Sequence, residues 1–399
     1  MSLEETAEKI AARIKEMDYV EVYSHNDADG VCAAAIITIA LKRADISFKL
    51  KMLNLLSFED VANPDVSILC DIGGSIKEFP DTTIIIDHHV PYNKSPYHLN
   101  PRLCGVDGES EMTASAAAYL VANKLGDNRD LAGLVLVSVI GDMQKIAGPN
   151  AEIVNEAIGN NIINTKRAIL LPGRNTREQL MIASSPYFAK VSGSLDTASA
   201  IEQDCMSKVS DEDFNTQLLS EIVLRSDAAY PDFMNLYGDS WILEREVITD
   251  AYSLEAVIDA CGKAGRTDLA YAAAVGDAAH IKEAWDTAAE FRTGIIDACA
   301  TARNVAKNAW MVDSLDAVSD VADVFAKSKQ TPVFVLARTP EFLKVSARAP
   351  FGAQVNFEEF FKEVNASLGG TGGGHALRAG AELPPACEGE FLAMLEGFA

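Results

Sequence analysis

Three predicted strands of this chain are each followed closely by aspartate or histidine. Two of them are brief and almost wholly apolar, which is typical of strands buried on both faces of a parallel sheet. The strands cover residues 18–23, 66–70 and 83–86, and they lead into His25-Asn-Asp27-Ala-Asp29-Gly30, Asp71 and Asp87-His88-His89. Because the carboxyl ends of parallel strands lie along one edge of a sheet, these side chains should meet in one pocket.

The pattern around these strands predicts an α/β fold. Residues 113–124 and 130–140 have helical spacing, and a further strand is predicted at 46–52. A helix rich in small residues is predicted to open at Gly30. Helices and strands therefore alternate, as in an open sheet covered by helices. Asp142 follows the second helical segment and is a fourth candidate for the same pocket.

The chain of 399 residues is long enough for two or three domains. We expect an N-terminal α/β domain with a mostly parallel sheet over residues 1–195. A mainly helical insert should follow over 196–310, and a smaller α/β domain over 311–399. Strands at 332–337 and 342–347 and a helix from Phe357 are predicted in this last part.

The grouped aspartates and histidines indicate a metal centre. Several carboxylates packed together without a cation would raise one another's pKa steeply. Carboxylate and imidazole ligands without thiolate favour Mn²⁺ or Mg²⁺. Two such ions about 3.5–4 Å apart can clamp the attacking and leaving oxygens of a phosphoryl displacement. The sequence therefore favours two divalent cations and phosphate-ester chemistry.

Each piece also has a structural interpretation when taken alone. Asp-x-Asp-Gly is common in turns and helix caps, and Asp71 before Ile-Gly-Gly could form an Asx turn. A His-His pair by itself is more often structural. The coincidence of acidic strand ends with His25, His88 and His89, half of the six histidines, favours the metal centre over these alternatives.

The motifs resemble those of the DHH phosphoesterase superfamily. The residues that carry the resemblance are His25-x-Asp27-x-Asp29-Gly30, Asp71, Asp87-His88-His89 and Asp142. The segment Gly372-Gly-Gly-His375-x-x-Arg-Ala-Gly380 resembles the companion DHHA1 motif, Gly-Gly-Gly-His-x-x-Ala-Ala-Gly. Arg378 stands where that motif usually has alanine. The first and last predicted domains would then be DHH and DHHA1 domains.

The resemblance implies a role for each matching residue. The metal ligands would be Asp27, Asp29, Asp71, His88 and Asp142, with Asp71 bridging two cations and His25 close to one of them. Asp87 would orient ligands or a water molecule, and His89 would donate to the scissile phosphate. We therefore group Asp87, His89 and His25 as catalytic residues.

The C-terminal domain carries a separate candidate for phosphate binding. In the predicted strand at 342–347 and its continuation, Lys344, Ser346 and Arg348 point to one face. Alternatively, these three side chains could simply line a solvated strand edge. The glycine run that includes Gly373 and Gly374 would let backbone N–H groups approach an anion, and we expect His375 to open a helix there. These six residues are the predicted substrate-binding set.

Composition bears on the ligand and the location. The net charge of −24 is an objection to a nucleic-acid ligand, which bound cations would weaken. The seven cysteines are scattered, which argues against a disulfide framework. The sequence has no apolar stretch of membrane-span length and begins with an acidic helical segment. We expect a cytoplasmic protein with no membrane partner.

The size and the helical segment between the motif domains resemble archaeal RecJ-type single-strand exonucleases, some of which associate with the GINS replication complex. The short segments Leu171-Pro-Gly-Arg174 and Asp259-Ala-Cys-Gly-Lys263 add to this resemblance. Three functions stay open at this point. They are exonuclease action on single-stranded DNA or RNA, hydrolysis of short substrates by a nano-RNase or adenosine-bisphosphate phosphatase, and a GINS-binding replisome scaffold.

Overall fold

The sheet predicted from the three strands is present in the computed structural model of the protein, which describes residues 2–92, 94–207, 210–350 and 352–398. The chain divides into two compact units, each built from two stretches of sequence. The first comprises Met1–Arg167 and Asp239–Ala289, and the second Ala168–Gly238 and Glu290–Ala399.

The first unit contains a five-stranded parallel sheet in the order β2-β1-β3-β4-β5. Its strands are β1 (Tyr19–His25), β2 (Ser47–Leu53), β3 (Ser67–Cys70), β4 (Ile84–Ile86) and β5 (His98–Leu99). Every residue of β3 and β4 is buried, as expected for central strands covered on both faces. The carboxyl ends of β1, β3 and β4 therefore lie side by side.

Five helices from the same N-terminal stretch complete this part of the first unit. They are α1 (Leu3–Ile14), α2 (Ala28–Arg43), α3 (Ala114–Leu125), α4 (Ala132–Gly141) and α5 (Gly148–Gly159). Helix α1 begins with a capping box between Ser2 and Glu5. Helix α2 begins at Ala28, two residues before the predicted start at Gly30, because the Asp27 side chain accepts the Gly30 N–H and caps the helix.

Two strands, β6 (Ile163–Ile169) and β7 (Tyr237–Leu243), form a separate two-stranded sheet. Between them lie α6 (Thr176–Met181), α7 (Leu195–Cys205), α8 (Asp211–Arg225) and α9 (Tyr230–Phe233). The chain continues through α10 (Ala251–Lys263), α11 (Thr267–Ala274) and α12 (Ile281–Thr301). This middle part is mainly helical, as predicted.

Each compact unit is built from two separate stretches of sequence, whereas each predicted domain is one continuous stretch. Helices α10 and α11 fall in the predicted insert but belong to the first unit, where they pack against α2 and, in the case of α10, against α4. Residues 168–195 fall in the predicted N-terminal domain but belong to the second unit. Packing between residues distant in sequence decides this grouping, so the three-domain division stays a prediction about sequence segments.

The second unit contains a six-stranded mixed sheet in the order β12-β13-β11-β10-β9-β8. Its elements are β8 (Arg303–Ala306), β9 (Ala309–Met311), α13 (Val318–Lys329), β10 (Val333–Arg338), β11 (Leu343–Arg348), α14 (Phe357–Leu368), β12 (Thr371–Gly374), β13 (Arg378–Leu383) and α15 (Glu388–Glu396). One hydrophobic cluster joins the sheet to Phe357, Phe361 and Phe391 of α14 and α15. A second joins it to Val318, Val321 and Phe325 of α13. The predicted α/β fold is confirmed.

The prediction that a helix begins at His375, after the glycine run, is wrong. Gly372 and Gly374 lie in strand β12 with φ of +145° and +150°, and a Cβ at either position would overlap backbone atoms of β13. Glycine therefore allows β12 to pair closely with β13, and His375 lies in the turn between these strands. Within the described ranges, no helix is both long and apolar enough to cross a bilayer.

Candidate metal centre

The residues predicted to hold metal all lie at the carboxyl edge of the parallel sheet or beside it. His25 is the last residue of β1, and Asp27 and Asp29 follow at the start of α2. Asp71 comes directly after β3 and adopts a left-handed conformation with φ of +57°, which aspartate tolerates better than most residues. Asp142 is the C-cap of α4.

Three overlapping groups of side chains could each hold a cation. They are His25 with Asp27 and Asp71, Asp71 with His88 and His89, and Asp29 with His88 and Asp142. Within each group, one ligand atom from every residue lies within 4.8 Å of the others. Asp71 and His88 each belong to two groups, so they connect the three into one centre.

His25 and Asp71 meet on one side of this centre. The Nδ1 atom of His25 lies 2.8 Å from an Asp27 carboxylate oxygen and 3.5 Å from Asp71 Oδ2. On the other side, His88 Nε2 lies 3.3 Å from Asp71 Oδ1, 3.4 Å from Asp142 Oδ2 and 3.8 Å from Asp29 Oδ2. Ligand atoms this close together could be bound by one cation in each group.

The orientation of His88 is fixed from outside the centre. Its Nδ1 lies 2.6 Å from the Gly108 carbonyl oxygen, which can only accept, so this nitrogen carries the proton. The Gln144 side-chain amide donates to the same carbonyl at 2.9 Å and accepts from Asn150 at 2.9 Å. Such partners set the tautomer of a metal-binding histidine and leave Nε2 facing the cation.

Two buried carboxylate oxygens without hydrogen-bond partners indicate whether the residues are suited to a metal ion. Asp71 Oδ1 and Asp142 Oδ2 accept no well-formed hydrogen bond from any residue in the described ranges. Buried carboxylate oxygens are normally satisfied, because leaving one unpaired costs free energy. Both face His88 Nε2, another atom suited to a cation. The donor set therefore fits hard divalent cations.

Asp29 is held by the start of α3. Its Oδ2 and Oδ1 accept the backbone N–H groups of Ala114 and Ser115 at 2.7 and 2.8 Å. The side chain is fully buried, and each oxygen keeps a second lone pair for another partner. The N-terminus of α3 thus fixes the direction in which this carboxylate points.

Asp87 organises its neighbours through hydrogen bonds. One oxygen accepts the Gly74 N–H at 2.9 Å, and the other accepts the backbone N–H and Nδ1–H of His89 at 3.1 and 2.8 Å. The side chain of His89 is 50% exposed, in contrast to buried Asp87. Asp87 therefore holds His89 with its second ring nitrogen directed away from the carboxylate.

The carboxylates and histidines change one another's pKa in the metal-free protein. Burial, reinforced by the charge of Asp71, raises the pKa of Asp29 to about 7, and burial with the charge of Asp29 holds the pKa of Asp142 well above its usual range. Burial alone would lower the pKa of His89, but Asp87 outweighs it and raises the pKa to about 9. Asp27 and Asp71 likewise raise the pKa of His25 to about 11 against the effect of burial. Without cations, this centre retains protons near neutral pH.

Several positions that shape the centre were not singled out from the sequence as site residues. Gly108, Gln144 and Asn150 act through His88, and no local pattern marks them. Gly262 of α10 accepts the Asn26 side-chain amide at 3.0 Å and leaves no space for a Cβ against the Asn26 carbonyl. It lies in the Asp259–Lys263 segment that carried part of the family resemblance, which was the only signal for it.

The predicted substrate-binding residues of the second unit divide into two places. Lys344, Ser346 and Arg348 share one face of β11, the central part of the sheet, and α13 partly covers them. Ser346 is buried and accepts from Arg348 at 2.8 Å, so it orients that guanidinium and does not face solvent. Gly373, Gly374 and His375 lie at the exposed edge, on and after β12.

Two family models match the chain. The model described as "DHH family, N-terminal domain" matches residues 19–139, and the model described as "DHHA1 domain" matches residues 311–399. Together they span just over half of the chain. The first covers every predicted metal ligand except Asp142, which lies three residues beyond its end.

Known proteins resemble the chain over nearly its whole length. An uncharacterized protein of Methanocaldococcus jannaschii is 28% identical over 425 aligned positions, covering 96% of this chain and 95% of that protein. A structure of exonuclease RecJ bound to manganese has a TM-score of 0.59 and 16% identity, covering 100% of this chain and 94% of that one. CDC45 from Entamoeba histolytica has a TM-score of 0.66 and 12% identity, with 98% and 97% covered. At these identities, the two structural matches show a shared fold.

Proposed function

Because the chain belongs to the DHH/DHHA1 phosphoesterase superfamily, we propose that it is a metal-dependent phosphodiesterase that removes nucleotides from the end of single-stranded DNA or RNA. One observation carries the proposal. Carboxylate oxygens of Asp29, Asp71 and Asp142, from three separate parts of the sequence, lie within 3.8 Å of the Nε2 atom of His88, and the oxygens of Asp71 and Asp142 accept no well-formed hydrogen bond in the described structure.

Five residues would hold two divalent cations, Mn²⁺ or Mg²⁺. Asp27 and Asp71 would bind one beside His25, and Asp29, His88 and Asp142 would bind the other. Asp71 reaches both sides, which suits a bridging ligand. When bound, such cations lower the pKa of a coordinated water and stabilise charge on a phosphate group.

His89 would contact the substrate. It is the most exposed of the three histidines in the centre, and Asp87 fixes its ring through Nδ1. In the metal-free protein, burial lowers the pKa of His89, but Asp87 outweighs it and raises the pKa to about 9. A protonated His89 would donate its Nε2–H in a charge-assisted hydrogen bond to a phosphate oxygen.

The fold shared with the manganese-bound RecJ exonuclease supports action on nucleic acid. Hydrolysis of short substrates is the alternative that the same chemistry would allow. A scaffold that binds GINS is the non-catalytic alternative, and the likeness to CDC45 is compatible with it. The full set of carboxylate and histidine ligands favours catalysis, since a scaffold has no need of buried oxygens without donors.

The test uses single-stranded DNA and RNA labelled separately at each end, incubated with the purified protein in Mn²⁺ or in chelator. Asp71→Asn removes a charged ligand while keeping the side-chain shape. The matched control is Asp127→Asn, since Asp127 is an exposed aspartate of the first unit that pairs with Arg129.

Metal-dependent, stepwise shortening by the wild type and by Asp127→Asn, absent in Asp71→Asn, would establish the exonuclease and show its direction. Cleavage of dinucleotides with survival of long strands would favour the short-substrate alternative. If the wild type binds Mn²⁺ but cleaves neither substrate class, the catalytic proposal is wrong and the scaffold alternative takes its place.

A further inference from the structure

A short apolar segment, residues 90–92, directly follows His89 and exposes side chains beside the candidate metal centre. Val90 is 64% exposed and Tyr92 is 54% exposed, whereas Asp87, a few residues earlier, is buried. Single exposed apolar side chains are common on protein surfaces, but these two adjoin a cluster of candidate metal ligands. Ligand sites combine apolar or aromatic side chains with a few polar groups. The segment therefore has the composition of one wall of a binding site.

The backbone of this segment is held at both ends. At its start, the buried side chain of Asn100 donates to the His89 carbonyl oxygen at 2.9 Å. At its end, the Tyr92 N–H donates to the Gly74 carbonyl oxygen at 2.7 Å. The Gly74 N–H in turn donates to Asp87 at 2.9 Å, and Asp87 also holds the ring of His89. Tyr92 and His89 are therefore fixed to the same pair of residues.

The ordered backbone of this segment leaves its side chains exposed. Ordering a chain segment costs conformational entropy, which folding usually offsets by burying apolar side chains. Val90 and Tyr92 remain in contact with solvent instead. A surface that is already ordered lowers the entropy cost of binding its ligand. The segment is therefore better suited to binding than to stabilising the fold.

The ring of Tyr92 has a cation on one of its faces. Lys77, in the loop between β3 and β4, places its Nζ atom 4.3 Å from the centroid of this ring. A cation at that distance is attracted by the electrons of the ring face. One lysine covers only one face, and more than half of Tyr92 is exposed. The ring therefore remains available to a second, flat group.

We infer that Tyr92 stacks on the base of the nucleotide whose phosphate binds at the metal centre, an inference that rests on the proposed function and deepens it. His89 would contact that phosphate, and three residues of chain, which span at most about 11 Å, separate it from Tyr92. Every base has a flat π face, so stacking holds a nucleotide whatever its identity. An enzyme that removes successive nucleotides from a strand needs such tolerance.

The test is a thermodynamic cycle between the tyrosine ring and the base. The full-length protein is mixed with short, internally labelled single strands in Ca²⁺, which replaces Mn²⁺ so that the strands stay intact, and binding is measured by fluorescence anisotropy. The strands have bases throughout, or lack the base of the 5′ or of the 3′ terminal nucleotide. The variants are Tyr92→Ala and Tyr92→Phe. Tyr19→Ala is the matched control, since Tyr19 is 41% exposed and begins β1 at the opposite edge of the same sheet.

On the strand with all its bases, Tyr92→Ala should bind on the order of tenfold more weakly than the wild type, the loss expected for one stacked base. Tyr92→Phe and Tyr19→Ala should bind like the wild type. On one of the two abasic strands, the wild type and Tyr92→Ala should bind equally, because the base that stacks is already missing. A damaged loop would instead weaken binding of every strand alike, so the coupling between ring and base distinguishes stacking from a merely structural role.

Two results would overturn the inference. The first is a Tyr92→Ala protein that binds the strand with all its bases as tightly as the wild type. The second is a Tyr92→Ala protein that loses the same factor in affinity on that strand and on both abasic strands. Either result leaves the proposed function standing if the wild type shortens strands in Mn²⁺. Failure of the wild type to bind any of the strands would instead remove the proposed function as well.

Discussion

Replacing Gly262 with alanine would disturb the metal centre from a helix that contributes no metal ligand. The added methyl group of α10 would overlap the carbonyl oxygen of Asn26, which lies between His25 and Asp27. A carbon and an oxygen normally approach to about 3.3 Å. Either the helix or the loop must therefore move by on the order of 1 Å.

The size of the effect follows from this displacement. Overpacking costs about 1–3 kcal/mol of stability, whereas alanine gains about 1 kcal/mol over glycine in a helix interior. Metal ligation tolerates errors of only about 0.2 Å, and a misplacement of about 1 Å can reduce catalysis about 100-fold. We expect Gly262→Ala to bind Mn²⁺ at least about tenfold more weakly and to lose about 100-fold in any cleavage activity.

Titration calorimetry with Mn²⁺ and thermal unfolding in chelator measure the two effects separately. Gly159→Ala is the control, because Gly159 ends helix α5 and a Cβ there meets nothing within 4 Å. That variant should bind Mn²⁺ like the wild type. If Gly262→Ala also binds Mn²⁺ with wild-type affinity, contact between α10 and the Asn26 loop does not position the ligands, and the reasoning fails.

Three further predictions concern other parts of the molecule. In chelator, the melting temperature should fall as pH rises from 6 to 9. Burial and Asp71 raise the pKa of Asp29 in the folded protein to about 7, and Asp87, against the effect of burial, raises that of His89 to about 9. Both values exceed those of the unfolded chain, so the folded state binds more protons and loses stability as these protons dissociate. Saturating Mn²⁺ should flatten that slope, and an unchanged slope would argue against cation binding by these residues. Gln144→Ala should weaken Mn²⁺ binding about 10-fold, because the Gly108 carbonyl that orients His88 would lose the hydrogen bond from Gln144. Wild-type Mn²⁺ affinity of this variant in calorimetry would contradict the prediction. In urea unfolding, Gly374→Ala should destabilise the protein by about 1–3 kcal/mol, whereas Gly373→Ala should not. Of these two glycines, only Gly374 has a positive φ and no space for a Cβ beside the backbone of β13. Equal stabilities of the two variants would refute this strand geometry.

The sequence made the parallel sheet and the clustering of the candidate metal ligands predictable, because both depend on local patterns. Buried strands are short apolar runs, and the residue after each run must lie at the sheet edge. Asp71 and Asp87 could be placed in this way without knowledge of any contact. The start of α2 was misplaced by two residues, because Asp27 is both a helix cap and a candidate ligand.

The glycine-rich segment shows where local patterns fail. A run of glycines followed by histidine is compatible with an anion-binding helix start as well as with a strand. The choice depends on β13, whose backbone lies too close to Gly372 and Gly374 for any other residue. That pairing is a tertiary fact, and the segment alone does not contain it.

By itself, then, the sequence determined the α/β fold, the family and which acidic and histidine side chains meet at the candidate metal centre. Only the tertiary structure decided how those side chains are held. Gly108 sets the proton position on His88, Gly262 supports Asn26 from 236 residues away, and Asp323 holds Arg348 beside Arg378. The physical reason is that strand and helix patterns arise from neighbours along the chain, whereas orientation and charge balance depend on groups that only packing brings together.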